Sequence, residues 1–396
     1  MEMLGNRGAF AEFIAKSLKD EDFVLVDVGC GGGLDATWRV FGDRLAAIGF
    51  DPNIDEVERL QKAEPSRKVN FKAAFVGVPA EHAISKRRGG RPPNSRNPWS
   101  RFAVNRTMSI MADRIKNFSP TEKVEINAWT EAKLTEPDRL FLPDYLGQIG
   151  FSSVDFVKID IDSDDYDVLQ SLEESLADRR ILGLCAEVNF YGSDDPTEHT
   201  FHNTDRFMRK NGFDLFGLTT RSYSAAALPH RYQLSMPAQS IAGRPYQGDA
   251  LYLRDVGSPE WSKFAQSFGA EKLLKLAALF SLFGLPDCAA QVLVTYRLRL
   301  QSLIDVDRGL DLLVMETELG AATAMSYKEL MAAFEANQNL FYPGGLPSAQ
   351  PAAATLQPSS QRVAPAIAPT SSSGMTRLHP RRIARALLRR ISPPNS

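Results

Sequence analysis

Apolar residues first recur at helical spacing and then run on without a break. Phe10, Phe13, Ile14, Ala15 and Leu18 fall on one side of a helix within Gly8 to Lys19, and Phe23 to Val28 is a short apolar run closed by glycine. Helix, then strand, is predicted. A helix over Leu34 to Asp43 follows, then strands over Leu45 to Phe50 and Val69 to Val76. Between those strands, Asn53 stands three residues ahead of Glu56, a helix-start signature, and Val57 and Leu60 give that helix an apolar side. Strand, helix, strand, helix, strand is the order of a parallel sheet with right-handed crossovers.

The pattern breaks off between Pro79 and Asn117. It resumes with a strand over Lys123 to Ala128, a helix over Asp144 to Ile149 and a strand over Val154 to Ile161. Tyr166, Leu169, Leu172 and Leu176 share one face of a helix over Asp164 to Leu176. Ile181 to Val188 is continuously apolar, as a central strand buried on both faces must be. A helix over Thr204 to Asn211 and strands over Phe213 to Thr219 and Ala250 to Leu253 bring the tally to about seven strands. From Pro259 to Leu340 the spacing is helical. Leu273 to Gln291 reads as helix, Gly-Pro turn, helix, like one tetratricopeptide-like hairpin without a fixed repeat, and so as a cap on the preceding domain.

Composition adds the boundaries. The 396 residues are 43% hydrophobic, which is ordinary for a globular chain with a real core. Residues 1–257 are expected to form the α/β domain, with 79–117 as a basic insertion, and 258–341 a small all-helical C-terminal appendage. Pro343 to Gly374 is rich in Pro, Ala, Ser and Gln with Arg362 as its only charge, so 342–375 reads as a disordered linker. The tail 376–396 carries Arg377, Arg381, Arg382, Arg385, Arg389 and Arg390, with Ile383, Leu387, Leu388 and Ile391 at helical intervals. A basic amphipathic segment of this kind suits weak contact with an anionic membrane or an acidic partner, and a solvated tail is the plain alternative. The net charge of −2 gives no overall attraction to nucleic acid. Three scattered cysteines, no apolar stretch of spanning length and no signal-like N-terminus point to the cytoplasm, with peripheral membrane contact left open.

The first strand carries the first chemical signal. Asp27-Val28-Gly29-Cys30-Gly31-Gly32-Gly33 ends the strand in an acid and a glycine loop, with Gly29, Gly31 and Gly33 expected to admit positive φ and a close ligand. A dinucleotide fingerprint asks for Gly or Ala five residues after its first glycine; Leu34 stands there. Asp-x-Gly-x-Gly-x-Gly instead resembles the first motif of class I S-adenosylmethionine-dependent methyltransferases. That resemblance implies a Rossmann-like seven-stranded methyltransferase sheet with helices on both faces, and an Asp27 that helps to hold the cofactor's ammonium. Asp51 closes the second strand about twenty residues on, where a carboxylate can reach ribose hydroxyls.

The second signal is Val157-Lys158-Ile159-Asp160-Ile161-Asp162. With Leu140 to Leu146 before it and Ala186-Glu187-Val188-Asn189 after it, the segment resembles FkbM-type methyltransferases over about Phe23 to Asn211. Asp162-Ser163 stands where that family has Glu-Gly, and Pro143 replaces an acidic position. The resemblance implies O-methylation of a hydroxyl on a carbohydrate, glycolipid or polysaccharide precursor. A neutral hydroxyl needs a base or a metal to take its proton. Asp160, Glu187, His199 and His202 are the candidate bases. Asp160, Glu187 and Asn189 are the candidate oxygen ligands for Mg²⁺, and capping roles for the acids are the third choice.

The insertion carries Lys86, Arg87, Arg88, Arg91, Arg96, Arg101 and Arg106 around Trp99 and Phe102, which suits a phosphorylated acceptor or a solvated loop. Arg221-Ser222-Tyr223 and Gln247-Gly248-Asp249 frame the last strands and are placed at the acceptor pocket. Two other readings stay open: a nicotinamide-dependent oxidoreductase, and a non-catalytic scaffold built on a degenerate methyltransferase core.

Overall fold

The computed structural model describes residues 8–77, 138–161, 165–178, 180–190, 192, 195–223, 239–240, 244–257 and 265–341. The insertion 79–117, the strand expected over Lys123 to Ala128, the linker 342–375 and the tail 376–396 lie outside the described residues.

Helix α1 (Ala9–Ser17) leads into strand β1 (Phe23–Val28). The stretch after the glycine loop is not an α-helix but a 3-10 turn over Ala36–Arg44, capped by Asp35 and broken at Gly42, whose φ of 51° no helix tolerates. Next come β2 (Leu45–Asp51) and α2 (Ile54–Ala63), the latter capped by the Asn53 side chain, which accepts from Glu56 N. β3 (Val69–Val76), β4 (Asp138–Leu140), α3 (Leu142–Gln148) and β5 (Phe156–Ile159) follow. The single helix expected over Asp164 to Leu176 is two, α4 (Asp165–Ser171) and α5 (Glu173–Asp178). β6 (Gly183–Asn189), α6 (Phe201–Lys210), β7 (Asp214–Leu218), β8 (Arg221–Tyr223), β9 (Gln239–Ser240) and β10 (Arg244–Leu253) complete the sheet.

Among the described residues the sheet has ten strands in the order β4-β3-β2-β1-β5-β6-β10-β8-β9, with β7 also paired to β10. β1 is flanked by β2 and β5, both parallel to it. Chain order therefore reverses at β1/β5, the point where an open α/β sheet leaves a crevice beyond its carboxyl ends. β10 runs antiparallel between β6 and β7, so the parallel character expected from the sequence stops at β6. The three strands not foreseen, β4, β8 and β9, are two or three residues long, too short for a periodic signal.

Each face of the sheet is covered by helices. Val26, Val28, Ile48, Val157 and Val188 face the layer that contains α3, α4 and α6, where Leu142, Leu146, Leu169 and Met208 are buried. Phe23, Leu25, Leu45, Phe156, Leu251 and Leu253 face α1 and the C-terminal helices. Those are α7 (Ala270–Leu282), α8 (Pro286–Thr295), α9 (Arg297–Leu300), α10 (Val306–Met315), α11 (Glu318–Thr323) and α12 (Tyr327–Ala336). Among the described residues, 265–341 are largely helical. Their placement is more intimate than an appendage: α7 is buried nearly all round, and its core is continuous with the sheet's. Leu273, Leu276, Leu279 and Phe280 are fully buried there, each worth about 1.5–3 kcal/mol of apolar transfer.

Polar contacts fix that layer in register. Glu271 accepts from the backbone N–H groups of Lys19, Asp20 and Glu21. Asp155, fully buried at the start of β5, takes Lys272 Nζ at 2.6 Å and Lys275 Nζ at 3.2 Å. Burial works to raise the Asp155 pKa, and the two ammonium groups outweigh it and hold it below the ordinary value.

Candidate functional site

The carboxyl ends of β1, β2, β5 and β6 gather the residues singled out from the sequence. The loop after β1 turns under its own backbone bonds: Gly29 N and Cys30 N both donate to Phe50 O at 2.9 Å, and Gly33 N donates to Cys30 O at 2.8 Å. Positive φ falls at Gly29, Gly32 and Gly33, each near 94°, and not at Gly31. Gly31 is required for a different reason. A Cβ there would lie 2.8 Å from Asp51 Oδ2. At Gly29 a Cβ would collide with the Asp160 carbonyl. The loop is thus packed between the ends of β2 and β5, and α2 holds it from the side, Gly32 N donating to Glu56 Oε1 at 3.1 Å.

Asp51 is buried, with Oδ1 accepting from Asn53 N at 2.8 Å and Oδ2 facing Gly31. One oxygen of the carboxylate is thus spent on the turn before α2, and the other lies against the glycine loop. Cys30 lies beneath the loop against Gly49. Burial, with Asp27 and Asp51 adding to it, raises its pKa well above the ordinary value, so it packs as a thiol.

Asp27 is buried on β1 and meets a residue to which the sequence reading gave no role. Lys158 Nζ lies 3.3 Å from Asp27 Oδ1 and 3.4 Å from Asp160 Oδ2. Asp160 continues the β1/β5 ladder, its N–H donating to Val28 O at 2.9 Å.

The remaining candidates sit on the β6 side and are differently employed. Glu187 is held by two donors, Arg221 Nη1 on Oε2 at 2.8 Å and Gln247 Nε2 on Oε1 at 2.9 Å. Arg221 Nη2 also donates to Asp249 Oδ1 at 2.9 Å. Burial works against the Arg221 charge, and Asp249 and Glu187 outweigh it and raise its pKa above the ordinary value. His199 donates through Nε2 to the Glu187 carbonyl at 2.7 Å, which leaves Nδ1 to accept from Asn189 Nδ2 at 3.4 Å. His202 is exposed, with Nε2 3.4 Å from Thr200 Oγ1.

These contacts bear on two expectations. Two of the three candidate Mg²⁺ ligands are paired with cations. Glu187 is paired with a guanidinium and Asp160 with an ammonium. Asn189 Oδ1 is buried without a hydrogen bond, but one amide oxygen falls far short of the octahedral oxygen shell a hard cation needs. Among the described residues no group of three His, Cys, Asp or Glu side chains is placed to hold a metal. Glu187 and His199 are likewise engaged with protein groups, Glu187 with Arg221 and Gln247 and His199 with the Glu187 carbonyl. What the sequence missed is the pairing of Lys158 and Arg221. Lys158 stood in the Lys-Ile-Asp motif and Arg221 was assigned loosely to the acceptor side, but no local pattern announces partners 131 and 34 residues away.

Strand order, switch point and glycine loop define a Rossmann-like α/β domain. No protein-family model and no curated protein matches this chain. Among solved structures it is similar to a TehB-like S-adenosylmethionine-dependent methyltransferase from Corynebacterium glutamicum, at 8% identity over 62% of this chain and 87% of that one, TM-score 0.25. It is also similar to a magnesium protoporphyrin IX methyltransferase from Synechocystis with bound S-adenosylhomocysteine, at 10% identity over 64% and 89%, TM-score 0.26. A putative methyltransferase from Listeria monocytogenes aligns at 11% identity over 62% and 99%, TM-score 0.29. At these identities and scores the fold class rests on the strand order and the loop geometry.

Proposed function

We propose that this chain is an S-adenosylmethionine-dependent O-methyltransferase acting on a hydroxyl of a carbohydrate, glycolipid or polysaccharide precursor. The observation that carries the cofactor is the glycine loop at the β1/β5 switch point with the Asp51 carboxylate directly against Gly31. Asp51 would accept from the ribose hydroxyls, the bare backbone of Gly31 would allow that approach, and Asp27 would face the amino-acid end. Leu34 tells against the dinucleotide alternative, since it fills the place where that fingerprint needs a small residue.

When bound, the cofactor supplies an electrophilic methyl group on a sulfonium. The chain's own task is then to orient the acceptor hydroxyl in line and remove its proton. Asp160 is the carboxylate that fits the base: it lies beside the loop at the end of β5 with 15% of its side chain exposed, and its contact with Lys158, at 3.4 Å, is longer than the contacts of 2.8 and 2.9 Å that hold Glu187. The acceptor class comes from the FkbM-type resemblance of the Lys158-Ile159-Asp160 segment, and the basic insertion favours a phosphorylated acceptor. The tail 376–396 favours weak contact with an anionic surface, which vesicle flotation of the full chain and of residues 1–375 tests; equal flotation removes that contact.

Calorimetry with S-adenosylhomocysteine and with NAD, each on the full chain, tests the cofactor. S-adenosylhomocysteine should bind and NAD should not; Asp51→Ala should lower the affinity at least tenfold, the loss expected for a charged acceptor of two hydroxyls. Binding of NAD alone would make the chain an oxidoreductase, and binding of neither would leave a scaffold. Transfer of a labelled methyl group to a panel of sugars and sugar phosphates tests the acceptor, and the absence of product on every member overturns that part.

A further inference from the structure

Lys158 stands opposite Asp27 in the parallel ladder between β5 and β1 and two residues before Asp160, so the three side chains leave the same face of the sheet. Its ammonium bridges the two carboxylates at 3.3 and 3.4 Å. A well-made charge-assisted bond is about 2.7–2.9 Å, so neither contact is tight. Lys158 keeps 28% of its side chain exposed, whereas Asp27 beneath it is buried.

We propose that Lys158 binds the α-carboxylate of S-adenosylmethionine, so that Asp27 and Lys158 together read the amino-acid zwitterion at the end of the cofactor. This rests on the cofactor proposed above. Lys158 satisfies Asp27. When the zwitterion enters, its ammonium takes the place beside Asp27, and Lys158 turns the same charge toward the incoming carboxylate. Asp27, the more deeply buried of the two carboxylates, keeps an opposite partner through the exchange, which avoids the cost of stranding it. A lysine suits this better than an arginine, since its compact ammonium carries three rotatable donors rather than a fixed fork.

Two ligands separate this role from a structural one. S-adenosylhomocysteine carries the amino-acid group; 5′-methylthioadenosine carries the nucleoside and sulfur without it. Calorimetry on the full chain should show Lys158→Met losing about ten- to hundredfold in affinity for S-adenosylhomocysteine, the range for a lost hydrogen-bonded charge contact. Its affinity for 5′-methylthioadenosine should not change. Lys158→Gln should do the same, and the ratio of the two affinities is read within one folded sample, so a general loss of stability moves both ligands together. A parallel fall for both ligands overturns the proposal and makes Lys158 a support for the loop. Unchanged or tighter S-adenosylhomocysteine binding also overturns it, the latter marking Lys158 as a competitor for Asp27. If the wild-type chain binds neither ligand, the cofactor reading itself falls and this inference with it; if it binds both and only the ratio fails to move, the inference alone is lost.

Discussion

Adding one methyl group to Gly29 and adding one to Gly31 have different consequences. Gly29 combines a φ of 94° with an Asp160 carbonyl where its Cβ would stand, so Gly29→Ala should strain both the loop and the end of β5. A stability loss of about 1–3 kcal/mol is expected in urea unfolding, the usual cost of one residue forced into such a conformation. Gly31 has no positive φ, and its Cβ would press only on Asp51 Oδ2. Gly31→Ala should therefore keep the melting temperature within a few degrees while lowering S-adenosylhomocysteine affinity more than tenfold, since the carboxylate must move away from the ribose position. Equal effects of the two substitutions on stability would contradict this division. At this scale much of the candidate site was legible: Asp27, the glycines and Asp51 all lie at strand ends, where one stretch of sequence names both the element and the residue that leaves it.

Between elements the pattern was less readable. Glu187 on β6, Arg221 on β8 and Gln247 and Asp249 on β10 form one hydrogen-bonded group, yet their separations of 34, 60 and 28 residues leave no local trace. β8 itself is only three residues long, and its position is set by pairing with the first half of β10. The Arg221–Glu187 pair anchors that short strand over the end of β6. Arg221→Met should cost about 3–5 kcal/mol because Glu187 is left buried without its cation. Arg221→Met combined with Glu187→Gln should recover at least half of the loss, measured as a double-mutant cycle in denaturant; additive losses would show that the two do not act as a pair. The helix expected after the glycine loop failed for a related reason. Its apolar spacing was real, since Trp38 and Phe41 are buried, but Gly42 and the approach to β2 shorten it to a 3-10 turn.

The whole molecule depends on helices that follow the sheet in sequence. α7 covers the face presented by Phe23, Leu25, Leu45 and Leu253, and α1 packs beside it. A chain ending at residue 341 should keep the wild-type melting temperature, whereas one ending at 257 should lose cooperative unfolding, as followed by circular dichroism; a cooperative transition in the shorter chain would show that the sheet is complete without this layer. The same layer carries an acid sensitivity. Asp155 has a pKa below its unfolded value of about 3.9, so its contribution is full above about pH 4 and disappears as the pH falls through the lower, folded value. Asp155→Asn should be about 3–5 kcal/mol less stable at neutral pH, with Lys272 and Lys275 stripped of their shared carboxylate. The gap to wild type should narrow below about pH 4, and a gap that stays constant down to pH 3 would exclude Asp155 as its source.

The sequence by itself determined β1, β2, β3, β5 and β6 of the parallel half of the sheet, the glycine loop after β1 and the carboxylates at the ends of β1, β2 and β5. These are local matters: burial on both faces writes continuous apolar runs, and a tight turn against a ligand writes glycine. Only the tertiary structure decided that β10 runs antiparallel between β6 and β7, that the terminal helices form one of the two layers, and that Glu187 and His199 are held by other groups while Lys158 joins Asp27 to Asp160. Those outcomes are set by pairings between residues far apart in the chain, where charge and packing partners are chosen by proximity in space and leave no periodicity behind.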